Sequence, residues 1–280
     1  MILINDQWVS REDATVDIED RGYQFGDGVY EVVRVYGGKP YQFDAHMKRL
    51  TRSMAAIDLT PPYAIDRIAV NLKNLIEQDE IEDGIVYFQI TRGTATRNHA
   101  YPKEAKSVLT AYTRAMPRPL NQLEAGVNGH LVEDIRWLRC DIKSLNLLGN
   151  VMAKQAAVEN GAGEAIFHRG DIVTEGSSSN LFIVKNGRLI THPANHYILN
   201  GITRKVVFDL AETLQIAIDE KTYTVGELLD AEEAFVTSTT QEVMPIVMID
   251  DKKIGSGQPG NVTKQLQEAF NATIQQSHMV

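Results

Sequence analysis

Lys143 stands in the run Asp141-Ile142-Lys143-Ser144-Leu145-Asn146, and 32 residues later Glu175 stands in Thr174-Glu175-Gly176-Ser177-Ser178-Ser179-Asn180. An amine and a carboxylate so disposed suit a Schiff-base cofactor. The amine can hold an aldehyde covalently while the carboxylate keeps a ring nitrogen protonated, which is what pyridoxal phosphate asks of its protein. A carboxyl near the ordinary glutamate pKa of about 4.3 is ionised at neutral pH and favours the pyridinium form by charge pairing.

A phosphate needs backbone donors and small hydroxyl side chains around it. Three stretches offer them: Ser177-Ser178-Ser179-Asn180, the helix entrance Gly201-Ile202-Thr203, and Thr237-Ser238-Thr239-Thr240 after a strand. Arg49 can add charge. A carboxylate-bearing substrate finds a matching grip in Arg97-Asn98-His99 with Tyr30, because a guanidinium binds a carboxylate through two parallel hydrogen bonds and the other two add donors. Singly, each feature is commonplace. A lone lysine is usually solvated, a Glu before glycine and serines is usually a turn, and an Arg or His on a polar loop usually faces water. Their joint order carries the specificity.

Elements that hold these residues follow from patterning. Ile2-Leu3-Ile4 and Gln7-Trp8-Val9 predict a hairpin about Asn5-Asp6, and Val29 to Tyr36 pairs with Pro40 to Phe43 across Gly37-Gly38. Asp44 is expected to cap a helix carrying Met47, Leu50, Met54 and Ile57, which ends before Pro61-Pro62; Ile65, Ile68, Leu72, Leu75 and Ile76 define the next. Ile85 to Thr91 and Val108 to Tyr112 read as buried strands, with Arg97 and His99 on the polar loop between them. Beyond the stiff Met116-Pro117-Arg118-Pro119, an amphipathic helix is expected from Asn146 to Glu159, its apolar surface made by Leu147, Leu148, Val151 and Met152. Leu181 to Val184 and Arg188 to Ile190 flank Asn186-Gly187, a strong hairpin signal. A helix from Thr203, strands at Ala234 to Thr237 and Ile246 to Ile249, and a helix from about Asn261 complete the pattern.

The chain has 280 residues, 43% hydrophobic and 23% charged, which suits a globular protein of one large or two modest domains. We read residues 1–116 as a smaller N-terminal domain, 117–122 as a linker and 123–280 as a larger C-terminal domain. A net charge of −9 and a pI near 5.3 disfavour nucleic-acid binding. Cys140 is the only cysteine, and the seven histidines show no zinc spacing, so no disulfide framework and no metal centre are expected. Without a leader or a long apolar run, the chain is expected to be cytoplasmic and without a membrane partner.

The sequence resembles the class IV pyridoxal-phosphate aminotransferases over nearly its whole length, and within them the D-amino-acid aminotransferases. Arg21-Gly22-Tyr23-Gln24-Phe25-Gly26-Asp27-Gly28-Val29-Tyr30-Glu31 is similar to the family's opening motif. Trp137 to Asn146 is similar to its lysine motif, and Thr174 to Asn180 to its glutamate motif. The resemblance implies the α+β, two-domain fold type IV, with pyridoxal 5'-phosphate between a smaller α/β domain and a larger mixed α/β domain. It implies that Lys143 is the catalytic lysine holding the cofactor aldehyde and that Glu175 pairs with the ring nitrogen. Arg49, Ser179, Ile202, Thr203 and Thr239 match phosphate-contacting positions, and Leu199 one that packs on the ring. Tyr30, Arg97 and His99 match the trap for the substrate α-carboxylate, the last two supplied by the second subunit of a homodimer. The implied reaction moves the amino group of D-alanine or a similar D-amino acid to a 2-oxo acid such as 2-oxoglutarate. Two alternatives of the same fold are a branched-chain L-amino-acid aminotransferase and aminodeoxychorismate lyase. Gln241 and Asn150 depart from what relatives carry, a smaller polar residue and an alanine.

Overall fold

The computed structural model describes residues 1–277, and the chain divides into two compact units. One comprises Met1–Pro117 together with Ile142–Asn146; the other comprises Arg118–Asp141 and Leu147 onward. Lys143 therefore belongs to the first unit, within a five-residue segment whose flanking stretches on both sides belong to the second.

The first unit begins with the hairpin β1 (Ile2–Ile4) and β2 (Gln7–Val9), whose turn residue Asn5 takes the left-handed conformation at φ 54°. There follow α1 (Arg21–Phe25), β3 (Gly28–Tyr36), β4 (Lys39–Pro40), α2 (Phe43–Ala55), α3 (Ile65–Gln78), β5 (Gly84–Thr91) and β6 (Val108–Ala115). The strands form one sheet in the order β2-β1-β6-β5-β3-β4, with β3 and β5 antiparallel from Gly28↔Thr91 to Val35↔Gly84. Period-two alternation sends Val29, Glu31, Val33 and Val35 to one face. The three valines join Met47, Leu50 and Met54 of α2 and Ile68, Leu72 and Leu75 of α3 in the core. On the opposite face Tyr30, Tyr87 and Tyr112 stack in a row, with ring centroids 5.8 and 5.1 Å apart.

Two local expectations are corrected. Phe43 opens α2 instead of closing a strand, and β4 is only two residues long. Asp44 does not cap that helix. Gln42 holds the cap position in the left-handed region at φ 53°, with no side-chain cap hydrogen bond, and Asp44 lies in the first turn, where its charge suits the helix dipole.

The second unit opens with α4 (Leu120–Ala125), so residues 120–122 of the segment read as linker are helical. Pro119 stands at the cap position, where a missing N–H costs the helix nothing. After β7 (Val127–Glu133) come α5 (Leu148–Glu159), β8 (Glu164–Arg169), β9 (Ile172–Gly176), β10 (Asn180–Lys185) and β11 (Arg188–Thr191). Then α6 (Ile202–Thr213), β12 (Ile218–Glu220), α7 (Val225–Leu229), β13 (Glu233–Ser238), β14 (Glu242–Ile249), β15 (Lys252–Lys253) and α8 (Asn261–Ser277) follow. The sheet runs β12-β11-β10-β13-β14-β7-β8-β9, and β15 pairs with β14. The hairpin at Asn186-Gly187 forms with φ 52° and 69°, the pair of positive angles that a two-residue turn demands.

Helix α5 inverts its expected polarity. Its buried residues are Ala153 and Ala157, packed with Ala162, Ala165 and Phe167, whereas Leu148, Val151 and Met152 are 72%, 60% and 53% exposed. Small side chains let this helix approach the strands closely, and its larger apolar side chains are left on the outside.

Among the described residues, no helix is long and apolar enough to cross a membrane, and no group of three or more His, Cys, Asp or Glu is placed to hold a metal ion.

Candidate active site

Lys143 is positioned by backbone pairing along β3. The amide of Tyr30 donates to the Lys143 carbonyl at 3.0 Å, that of Leu145 donates to the Gly28 carbonyl at 3.0 Å, and Val29 and Ser144 form an antiparallel bridge. The Lys143 amide in turn donates to Ser53 Oγ on α2 at 3.3 Å. These bonds aim the side chain along the tyrosine face, with Nζ 4.1 Å from the centroid of the Tyr30 ring. The lysine and one residue of the expected substrate trap are thus side by side.

Arg97 and His99 occupy an exposed bend and associate with Phe25: the guanidinium carbon lies 4.5 Å from the Phe25 ring centroid and the two rings are 5.5 Å apart. Arg21 anchors this bend by donating to the carbonyls of Asn98 and His99 at 2.5 and 3.5 Å. Arg49 is buried on the helix side of the sheet, donating from Nε and Nη2 to Glu31 at 2.7 and 2.8 Å, and His46 Nδ1 bonds the same carboxylate at 2.7 Å. Burial alone would raise the Glu31 pKa, yet the Arg49 charge and the two partners' hydrogen bonds hold it at about 2. Burial pushes His46 below its ordinary value, against the pull of Glu31.

In the second unit, Glu175 lies at the end of β9 and is 4% exposed. It accepts from Arg136 Nη1 at 2.8 Å, Asn180 Nδ2 at 3.0 Å and the Leu199 amide at 3.0 Å. Arg136 is itself clamped by Asp134, which accepts from its Nε and Nη2 at 2.9 Å each. Burial pushes the Glu175 carboxyl up to about 7, outweighing Arg136 and the Leu199 amide, which favour the ionised form.

Ser179 Oγ donates to Glu164 at 3.0 Å, and Ser177 contacts the same buried carboxylate through both its amide and its hydroxyl. Ile202 and Thr203 open α6, whose cap residue Gly201 supplies no side-chain acceptor. Gly201 is required there, since a Cβ would sit 2.2 Å from Asn180 Oδ1. Thr239 lies in the tight turn between β13 and β14. Of the two departures, Asn150 Nδ2 donates to the Ser177 carbonyl at 2.8 Å, and Gln241 Oε1 is buried without a partner among the described residues.

These groups fit pyridoxal phosphate. A carboxylate offers about four acceptor positions; the donors from Arg136, Asn180 and Leu199 leave Glu175 one for a ring N–H. The uncapped start of α6 presents amides suited to a phosphate, and the buried Thr237 hydroxyl has no partner among the described residues. Patterning did not identify Arg136, Glu164, Glu31 or His46 as working parts. The alternation of β3 was the available signal for Glu31, and Asp134-x-Arg136 just ahead of the lysine motif was the one for Arg136.

Glu175 predicts a measurable pH dependence in the cofactor-free protein. A carboxyl whose folded pKa is raised from 4.5 to about 7 contributes stability that is complete below 4.5 and lost as pH rises through 7. The melting temperature of the parent is therefore expected to fall relative to that of Glu175→Gln between pH 5 and pH 8. A difference constant over that range contradicts the raised value.

A model of the amino-transferase class IV family matches residues 28–249. A D-alanine aminotransferase of Staphylococcus haemolyticus is 49% identical over 275 residues, 98% of each chain. One of Listeria monocytogenes serotype 1/2a (strain 10403S) is 49% identical over 272 residues, 96% of this chain and 94% of that one. Among solved structures, the branched-chain amino acid aminotransferase of Escherichia coli superposes with a TM-score of 0.93 at 26% identity, covering 98% of this chain and 94% of that one. The branched-chain amino acid aminotransferase of Thermobaculum terrenum, solved in its PLP form, gives 0.87 at 26% identity over 99% and 94%. With its α+β fold, its lysine and glutamate motifs in place and a family match over most of its length, the chain belongs to the class IV aminotransferases, enzymes that work with pyridoxal phosphate.

Proposed function

We propose that the chain is a D-amino-acid transaminase that transfers the amino group of D-alanine or a similar D-amino acid to a 2-oxo acid such as 2-oxoglutarate. The observation that carries this reading is the backbone pinning of Lys143 beside Tyr30 on one sheet face. Identity of 49% to D-alanine aminotransferases, against 26% to the branched-chain enzymes, supports the D substrate over the L alternative and over the lyase.

Pyridoxal phosphate, when bound, supplies an electron sink that lets a substrate Cα–H bond break. Lys143 would hold the cofactor through its aldehyde and, with its amine freed, would take up or deliver the proton at the substrate Cα. Glu175, held by Arg136, would keep the ring nitrogen protonated. Arg49, Ser179, Ile202, Thr203 and Thr239 would secure the phosphate, and Leu199 would pack on the ring. Tyr30, Arg97 and His99 grip the α-carboxylate and so choose which enantiomer turns its Cα hydrogen to the lysine. Two half-reactions sharing one site give ping-pong kinetics.

In this reading Arg97 and His99 serve the neighbouring subunit of a homodimer, consistent with their exposure. The exposed Trp137, Leu138, Leu148, Val151 and Met152 are apolar surface suited to a second copy. Met1–Pro117 with Ile142–Asn146 makes the smaller domain and Arg118–Asp141 with the chain from Leu147 the larger, cofactor-binding one, and the protein works in the cytoplasm.

The test is amino transfer to 2-oxoglutarate from D- or L-alanine. D-Alanine is expected to be favoured at least tenfold, which requires only about 1.4 kcal/mol between the transition states. Turnover of the L form alone refutes the assignment in favour of the branched-chain reading, and elimination without oxo-acid-dependent transfer favours the lyase.

A further inference from the structure

Arg34 sits within β3 and is 1% exposed, yet among the described residues none of its guanidinium nitrogens has a hydrogen-bond partner. Its guanidinium carbon lies 5.1 Å from the ring centroid of Tyr36, a contact that offsets only part of the desolvation of a cation. A buried lysine can shed its charge by losing a proton, whereas an arginine cannot. Such a group is costly to leave unpaired and forms a strong two-point bond when a carboxylate arrives.

Its position says which carboxylate. Alternation along β3 puts Arg34 on the face of Tyr30 and Val32, opposite to Glu31, and the cross-strand partners on that face are Ile85, Tyr87 and Gln89. Lys143 Nζ lies over the Tyr30 ring on this same face. Four residues of strand separate the α-carbons of Tyr30 and Arg34 by roughly 13 Å, and the Arg34 guanidinium lies by Tyr36 at the far end of β3. A substrate holding its α-carboxylate at Tyr30 and running along the sheet past Val32 would meet Arg34 only if it carried a second anionic group.

We propose that Arg34 receives the distal carboxylate of a dicarboxylic substrate, a 2-oxo diacid or the matching amino diacid. The assignment rests on the transaminase reading above and deepens it by naming the substrate class. Val32 and Ile85 supply apolar contact for the methylenes between the two carboxylates.

The experiment compares acceptors. Holoenzyme is loaded with the amino group by D-alanine, freed of excess amino acid and mixed with 2-oxoglutarate or pyruvate in single turnovers. In Arg34→Met the ratio of kcat/KM for 2-oxoglutarate over that for pyruvate is expected to fall about 100-fold, with the pyruvate value within about threefold of the parent's. Arg34→Lys keeps the charge without the fork; it is expected to lose about tenfold in the same ratio and decides the matter if the methionine variant does not fold. An unchanged ratio in either folded variant, or an equal loss with both acceptors, overturns the proposal. If D-alanine cannot load the parent, the D-amino-acid reading fails by itself, and the same ratio measured after loading with L-glutamate still decides the role of Arg34.

Discussion

Lys143→Ala is expected to reduce turnover by about 10⁴-fold or more and to abolish the covalent adduct that borohydride reduction otherwise locks onto the chain. Both losses come from one amine. The backbone bonds that place it run through the Lys143 carbonyl, the Leu145 amide and the Val29–Ser144 bridge, none of which needs the side chain. The variant should therefore fold and melt like the parent while failing chemically. Mass spectrometry after reduction and single-turnover amino transfer read the two effects separately. A trappable adduct in the alanine variant, or turnover near the parent's, would remove Lys143 from the mechanism.

The second large effect concerns stability. In Glu31→Ala, Arg49 and His46 lose the buried carboxylate that both of them contact at 2.7–2.8 Å. Removing one partner of a buried ion pair typically costs about 3–5 kcal/mol, because the remaining charge is left desolvated and uncompensated. We expect the melting temperature to drop on the order of 10 °C. Cofactor affinity should weaken as well, since Arg49 is proposed to serve the phosphate and Glu31 fixes its orientation. A melting temperature within about 2 °C of the parent's would show that the three groups are far less coupled than their distances imply.

Much of the fold was legible because the chain's local preferences agree with its tertiary context. The hairpin at Asn186-Gly187 formed where two consecutive positive φ angles were needed, and of the apolar residues spaced for the helix from Thr203, Val206, Val207 and Leu210 are buried on α6 while Leu214, at its C-cap, is exposed. Legibility failed where packing overrode propensity. Leu148, Val151 and Met152 are exposed on α5 because alanines make the close approach to the sheet. A composition-based reading favours the larger apolar residues for the interior, and only the neighbouring strands decide otherwise. Asp44 yielded the cap position to Gln42 because the chain entering α2 turns through the left-handed region just before Phe43.

By itself the sequence supplied the candidate reactive parts: a lysine and a glutamate in recognisable surroundings, small hydroxyl and glycine positions suited to an anion, and an Arg-x-His loop. These are covalent facts, and motif order preserves them at any separation in space. Only the tertiary structure decided their partners. It set Arg136 between Asp134 and Glu175, paired Arg49 with Glu31 and His46, and left Arg34 buried without a hydrogen-bond partner among the described residues. Hydrogen bonding and desolvation depend on distances between residues far apart in the chain, which strand register and helix packing establish and local spacing cannot encode.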